Sequence, residues 1–150
     1  MKGLYYEDFK VGDKFTTAAK TITEGAITML VGLGGYTVPL FTDEEYAQTT
    51  IFKGRIAPGR LVIFMIGGLI EQLGIFDETL IALVGIDKVR FKNPLRAGDT
   101  IKVEIEIIDK RETKNPERGI IIHKESCSNQ RGEIVFEEEE THLMLRKPKM

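Results

Sequence analysis

Apolar residues recur at every second position in the last third of the chain and at helical spacing in the middle, and this change of period predicts the architecture. In "TIKVEIEIID", Ile101, Val103, Ile105 and Ile107 alternate with Lys102, Glu104 and Glu106, the pattern of a strand with one buried and one wet face. "LIALVGIDKVRF", "GIIIHKESCSN" and "EIVFEEEETHLMLR" are its companions, separated by the turn signals "NPLRAGD", "KNPERG" and "NQRG". An antiparallel sheet with short connections follows, and "KFTTAAKTIT" predicts a further, first strand. Upstream, Thr23 opens a helix over 24–33 whose face carries Ile27, Leu30 and Val31 and which stops in the glycines at 32, 34 and 35. Asp43 caps a short helix, "EEYAQTT", with Glu44 and Glu45 in its first turn.

The segment "APGRLVIFMIGGLIEQLGIF" predicts a long helix from Pro58 to Phe76, apolar around nearly its whole circumference and therefore wrapped on most sides. Gly67 and Gly68 each cost about 1 kcal/mol relative to alanine in a helix, which predicts another backbone close by, supplied by a sheet curled around the helix. Helices first and strands afterwards is the order of an α+β domain.

Length and composition narrow the reading to one domain over 1–150: 150 residues with 42% apolar content suffice for a core, which an oligomer partner can share. A formal net charge of −2, with basic residues scattered among acidic ones, argues against nucleic-acid binding. The longest apolar run, 61–70, is too short to span a bilayer, and the N-terminus is too polar for a signal peptide; a soluble protein is expected. Cys127 is the single cysteine, which fits a reducing cytoplasm and a structural thiol. The acidic run 137–140 reads as a solvated face plus a charge-guarded edge.

Candidate chemistry is sparse. The glycines in "VGLGGYT" lack the spacing and the following Lys-Ser or Lys-Thr pair of a phosphate loop. His123 and His142 stand in strands without a second ligand at metal-binding spacing, so no metal is expected. No serine motif resembles a nucleophile elbow. What remains is Gly59, whose N–H falls among the unpaired donors of the long helix's first turn, where a carbonyl oxygen would be polarised; a glycine there also permits a tight helix entry.

Four blocks in order, "YYEDFKVGDKF", "TITEGAI", "VPLFTDEEYAQTTIFKGRIAPGRL" and "VRFKNPLRAGDTIKVEIEI", resemble the MaoC-like dehydratases of the hot-dog fold, which include the R-specific enoyl-CoA hydratases. The resemblance covers nearly the whole chain. It implies an antiparallel sheet wrapped around one long central helix, a homodimer or higher homo-oligomer, and an acyl-CoA thioester as substrate or ligand with no other cofactor. In hydratases of the family, the loop before the central helix reads Asp, x, Asn-Pro, x, His, and the Asp and His activate the water that adds to the enoyl thioester. Anchoring on Pro39 places Tyr36 at the Asp, Val38 at the Asn and Phe41 at the His, so both proton-moving groups are replaced. Gly59 matches the glycine whose N–H receives the thioester oxygen, and Asp43 and Ala47 match the following helix.

Three readings follow from the resemblance. In the first, the protein binds an acyl-CoA thioester beside the long helix, with Gly59 on the carbonyl, the walls formed by Val38, Pro39, Phe41 and Pro58, and Lys53, Arg55 and Arg60 on the phosphates. In the second it is a hydratase or thioesterase with a displaced dyad built from Asp43, Glu44 or Glu45 with His123 or His142; Tyr36 is a further catalytic candidate, though a phenol protonated at neutral pH is a poor base. In the third it is a noncatalytic subunit pairing with a competent MaoC-like partner.

Overall fold

The alternation at 101–107 sets the core: Ile101, Val103, Ile105 and Ile107 are completely buried. The computed structural model describes residues 3–149. After a 3-10 turn at Tyr6–Asp8 come β1 (Lys14–Thr16), β2 (Lys20–Thr21), α1 (Glu24–Gly34), α2 (Pro39–Thr42), α3 (Glu44–Thr49), α4 (Gly59–Glu71), β3 (Leu80–Phe91), β4 (Thr100–Glu112), β5 (Arg118–Ser128) and β6 (Ile134–Leu145). The strands form an antiparallel sheet in the order β1-β4-β5-β6-β3, with β2 also on β4. The α4 residues Leu61, Val62, Met65, Ile66, Leu69 and Ile70 are buried in one core with the inner face of the sheet. This is the hot-dog arrangement, a curled antiparallel sheet around one helix, within an α+β fold.

Local chemistry explains the boundaries. Thr23 Oγ1 accepts from the Ala26 N–H at 3.1 Å to open α1, and Gly35, at φ 68, ends it in the left-handed conformation. Asp43 Oδ1 accepts from the Tyr46 N–H at 3.0 Å, the cap expected for α3. A Cβ on Gly119 would lie 2.3 Å from Tyr6 Cδ2, so this glycine lets the N-terminal turn seat its aromatic ring on β5.

Several expectations change. The long helix stops at Glu71, five residues before Phe76: Gly74 turns left-handed (φ 70), and Phe76 folds back into the core. The first strand is broken into β1 and β2. Between them, Thr17 N–H donates to Val103 O and Val103 N–H donates to Thr17 Oγ1, so a side chain continues the ladder. Among the described residues no other backbone approaches Gly67 or Gly68; a Cβ on either would meet open space. The sheet wraps the opposite side of α4, and Phe64, one turn before the glycine pair, is 74% exposed.

The acidic run is neither at an edge nor fully solvated. β6 lies between β5 and β3. Glu137 and Glu139 face outward and pair with Lys92, Lys124 and Lys88, whereas Glu138 and Glu140 point inward and are buried. The strand period permits both fates at once, since alternate residues face opposite ways.

Candidate functional site

Two places gather chemistry: the entrance to α4 and the sheet beneath its middle. The entrance is held rigidly. Ala57 N–H donates to Leu95 O at 2.7 Å, and the Arg96 guanidinium donates to the carbonyls of Phe52 and Arg55. Pro58, at φ −56 and ψ 137, is the N-cap, so Gly59 is the first helical residue and its N–H has no intrahelical acceptor. A cavity of about 390 Å³ opens there, lined by Gly59 and by Ile56, Val62, Phe91, Leu95 and Val135 among others. A Cβ on Gly59 would lie 2.7 Å from Phe91 Cε1 and 2.8 Å from Cζ, so the missing side chain is what leaves room for that ring.

The loop carrying Tyr36 and Phe41 lies beside this entrance. The two rings meet edge to face at 6.4 Å, and Arg60 Nη1 donates to the Tyr36 hydroxyl at 3.3 Å, tying the loop to the first turn of α4. Val38 is exposed and forms the N-cap of α2, with Pro39 as its first residue. The acidic candidates are engaged structurally: Asp43 caps α3, and Glu44 accepts from Gln48 and Arg55. Arg55 also reaches Glu24, so it bridges α1 and α3. Hydrogen bonds, with Gln48 first, hold the Glu44 carboxyl below the usual range. Lys53 is exposed, at φ 53, on a neighbouring groove shared with Glu24 and Glu44.

The second place was not legible from spacing along the chain. Register sets Ile121 opposite His142, His123 opposite Glu140 and Glu125 opposite Glu138, all on the inner face. His123 Nε2 lies 3.4 Å from His142 Nδ1, and His142 Nε2 lies 3.0 Å from Glu140 Oε2. The two histidines separated by eighteen residues are therefore neighbours, and neither reaches the Gly59 cavity. Phe76 stacks on His123 at 5.7 Å and meets His142 edge-on at 4.7 Å. Burial, with help from His142, pushes the His123 pKa down to about 3. Burial above all, and then the charges of Glu140 and Glu138, push Glu125 up; burial raises Glu138 as well. Burial alone would raise Glu140 too, but the hydrogen bond with His142 and the nearby imidazoles hold it low. Next to them Cys127 is completely buried and its thiol is pushed up to about 12 by burial, which leaves it unreactive. A sequence signal existed: Ile121, His123, Glu125 and Cys127, and likewise Phe136, Glu138, Glu140, His142 and Met144, each keep a single strand phase that begins and ends apolar.

Comparison with known proteins adds a third kind of observation. Residues 8–126 match the family described as MaoC like domain. An (R)-specific enoyl-CoA hydratase of Rhodospirillum rubrum is 34% identical over 140 residues, covering 93% of this chain and 91% of that protein. A solved monoamine oxidase regulatory protein from Archaeoglobus fulgidus superposes with a TM-score of 0.92 at 32% identity, covering 99% of this chain and 98% of that one. A Mycobacterium tuberculosis protein with a double hot-dog fold superposes at 0.86 with 19% identity; this chain covers 46% of it, a likeness of fold alone. Among the described residues, no helix is long and apolar enough to cross a membrane.

Proposed function

The chain belongs to the MaoC-like domain family, and from that premise we propose that it holds an acyl-CoA thioester at the entrance of α4 without the family's usual hydration chemistry. The observation that carries this reading is Gly59: the first-turn N–H of a buried helix stands on the wall of an apolar cavity, where a thioester oxygen would meet the helix dipole. The acyl arm would run along Val62, Phe91 and Val135, all apolar, and Arg60 in the first turn of α4 and Lys53 on the neighbouring groove would meet the CoA phosphates. Arg55 acts differently: its guanidinium is committed to Glu24 and Glu44, so it braces the loop.

A displaced dyad finds little support. The carboxylates of Asp43 and Glu44 already accept hydrogen bonds, and both histidines lie under α4 rather than in the cavity. The protein therefore acts as a thioester-binding module, in an assembly with a second copy of itself. β3 is the outer strand of the sheet, and its Leu83 and Ile86, on the helix side, are 47% and 39% exposed, Leu83 in the same groove as Phe64. A solved structure of the same fold carrying two hot-dog units in one chain joins covalently what such a dimer would join by contact.

Gly59→Pro tests the site cleanly. Proline suits the first position of a helix, and Pro58 already has the extended conformation that a following proline demands. The substitution deletes the N–H without breaking α4. Gly59→Ala keeps the N–H while meeting the same Phe91 ring, so it controls for the steric effect. By calorimetry with a short-chain acyl-CoA, we expect the proline variant to bind roughly 10- to 100-fold more weakly than the alanine variant, the worth of one hydrogen bond to a buried carbonyl. Equal affinities would remove the N–H from the reading, and no binding by the unaltered protein would remove the reading itself.

A further inference from the structure

The five polar groups beneath α4 serve no purpose in thioester binding, and they are costly. Glu125 and His123 are completely buried and Glu138 is 1% exposed, yet among the described residues no N–H or hydroxyl donor reaches either carboxyl oxygen of Glu125 or of Glu138, and Nδ1 of His123 has no partner, so the two carboxyls can bond only one another and Glu140, and only when one carries a proton. Nδ1 of His123 lies 3.3 Å from Glu125 Oε1, too far off the hydrogen-bond direction to satisfy either atom. No lysine or arginine among the described residues makes an ion pair with Glu125, Glu138 or Glu140; the nearby lysines pair with Glu137 and Glu139 on the other face. Buried ionisable groups are in practice neutralised, paired with an opposite charge or bound to metal, and no opposite charge from a side chain is at hand here.

The geometry points to a missing cation. The donor atoms of His123, His142 and Glu140 lie within 4.8 Å of one another, and so do those of Glu125, Glu138 and Glu140. His123 Nε2 and His142 Nδ1 are 3.4 Å apart, the separation of two ligands on one tetrahedral ion with bonds of about 2.0–2.1 Å. Glu140 Oε2 lies 3.9 Å from His123 Nε2 and 3.0 Å from His142 Nε2, close enough to both rings to supply the third donor. Phe76 fixes both rings. A groove of about 410 Å³ between the bare backbone of Gly67 and Gly68 and the side chains of Leu80 and Leu83 reaches Glu140 and His142, giving an ion a way in to the single chain on the face that subunit pairing would cover.

We propose that His123, His142 and Glu140, backed by Glu125 and Glu138, form a buried site for one divalent transition-metal ion of the zinc or cobalt class, cross-linking β5 and β6 beneath α4. Mixed imidazole and carboxylate donors select such ions over magnesium or calcium, which prefer oxygen alone. The competing arrangement holds protons instead of a metal, one between the imidazoles and one on Glu125, whose carboxyl then hydrogen-bonds Glu138 and Glu140.

The chain has only two histidines, so spectroscopy reads the site without background. Untagged, chelator-stripped protein would be titrated with Co²⁺ and then with Zn²⁺ while following visible absorption, thermal stability and the ¹⁵N shifts of the histidine rings. We expect about one equivalent per chain, visible cobalt bands displaced by zinc, a higher melting temperature, and shifts at both rings. The near-isosteric variants Glu140→Gln and His142→Gln, each checked by circular dichroism, should weaken binding at least tenfold. Ring shifts and melting temperature unmoved by stoichiometric metal in the unaltered protein would overturn the site in favour of the shared proton. Binding undiminished in the folded variants would also overturn it, assigning the metal to surface carboxylates. The ring-shift measurement needs no variant, so the test stands even where a substitution unfolds the chain.

Discussion

The combined substitution Tyr36→Asp, Val38→Asn and Phe41→His is expected to raise hydration of a short trans-2-enoyl-CoA by roughly two to four powers of ten over the unaltered protein, the range that positioned acid-base groups contribute. The unaltered protein should turn over close to background. The geometry favours the gain because the scaffold around Tyr36 and Phe41 is in place. The Tyr36 and Phe41 rings stand 6.4 Å apart on one loop, so a carboxylate and an imidazole at these positions would share reach of one water. The loop is tied to the first turn of α4 through Arg60, next to the Gly59 N–H that would polarise the thioester. Neither ring is fully buried, so replacing both opens no deep core cavity. Disappearance of the enoyl-thioester absorbance measures the rate. Strong turnover by the unaltered protein would show that the acid and base lie elsewhere. An unchanged rate in a variant that still binds the thioester would show that the loop does not present its side chains to the reacting carbons.

How much of this was legible depended on whether the information lay within one segment or between segments. The β4 strand was readable because Ile101 to Ile107 state their period locally, and Thr23 and Asp43 announced their helices as caps do. The end of α4 was misread because Leu73, Ile75 and Phe76 are as apolar as a helix interior; Gly74 turns the chain and Phe76 is buried after the turn. The reading of Tyr36 and Phe41 as replacements rests on a family pattern alone, since nothing in a tyrosine or a phenylalanine itself announces a lost acid or base. The cluster under α4 was hidden for the opposite reason. His123 and His142 meet only through the β5–β6 register, and a charged run such as 137–140 looks solvated until alternate residues are assigned to opposite faces.

The exposed strip along α4 and β3 carries the other large effect. Phe64, at 74% exposure, and Leu83, at 47%, flank a glycine pair that opens onto space, beside an outer strand of twelve residues with no strand beyond it among the described residues. An unguarded apolar edge of this length invites pairing with another chain. A two-fold pairing of β3 with its copy would use the same patch on both subunits, extend the sheet across the interface, and bring a second backbone toward Gly67 and Gly68, the close approach that one chain lacks. Each subunit then contributes both Phe64 and Leu83, so Phe64→Lys with Leu83→Lys removes four apolar anchors and sets four like charges around one axis. At about 2 kcal/mol for each large side chain removed from burial, the dissociation constant should rise at least 10³-fold. Light scattering at micromolar concentration should read twice the chain mass for the unaltered protein and the single chain mass for the variant. Both residues are substantially exposed in the single chain, so the variant should keep its circular dichroism spectrum. A monomeric unaltered protein, or a variant that remains dimeric, would place the interface elsewhere and leave this strip open to solvent.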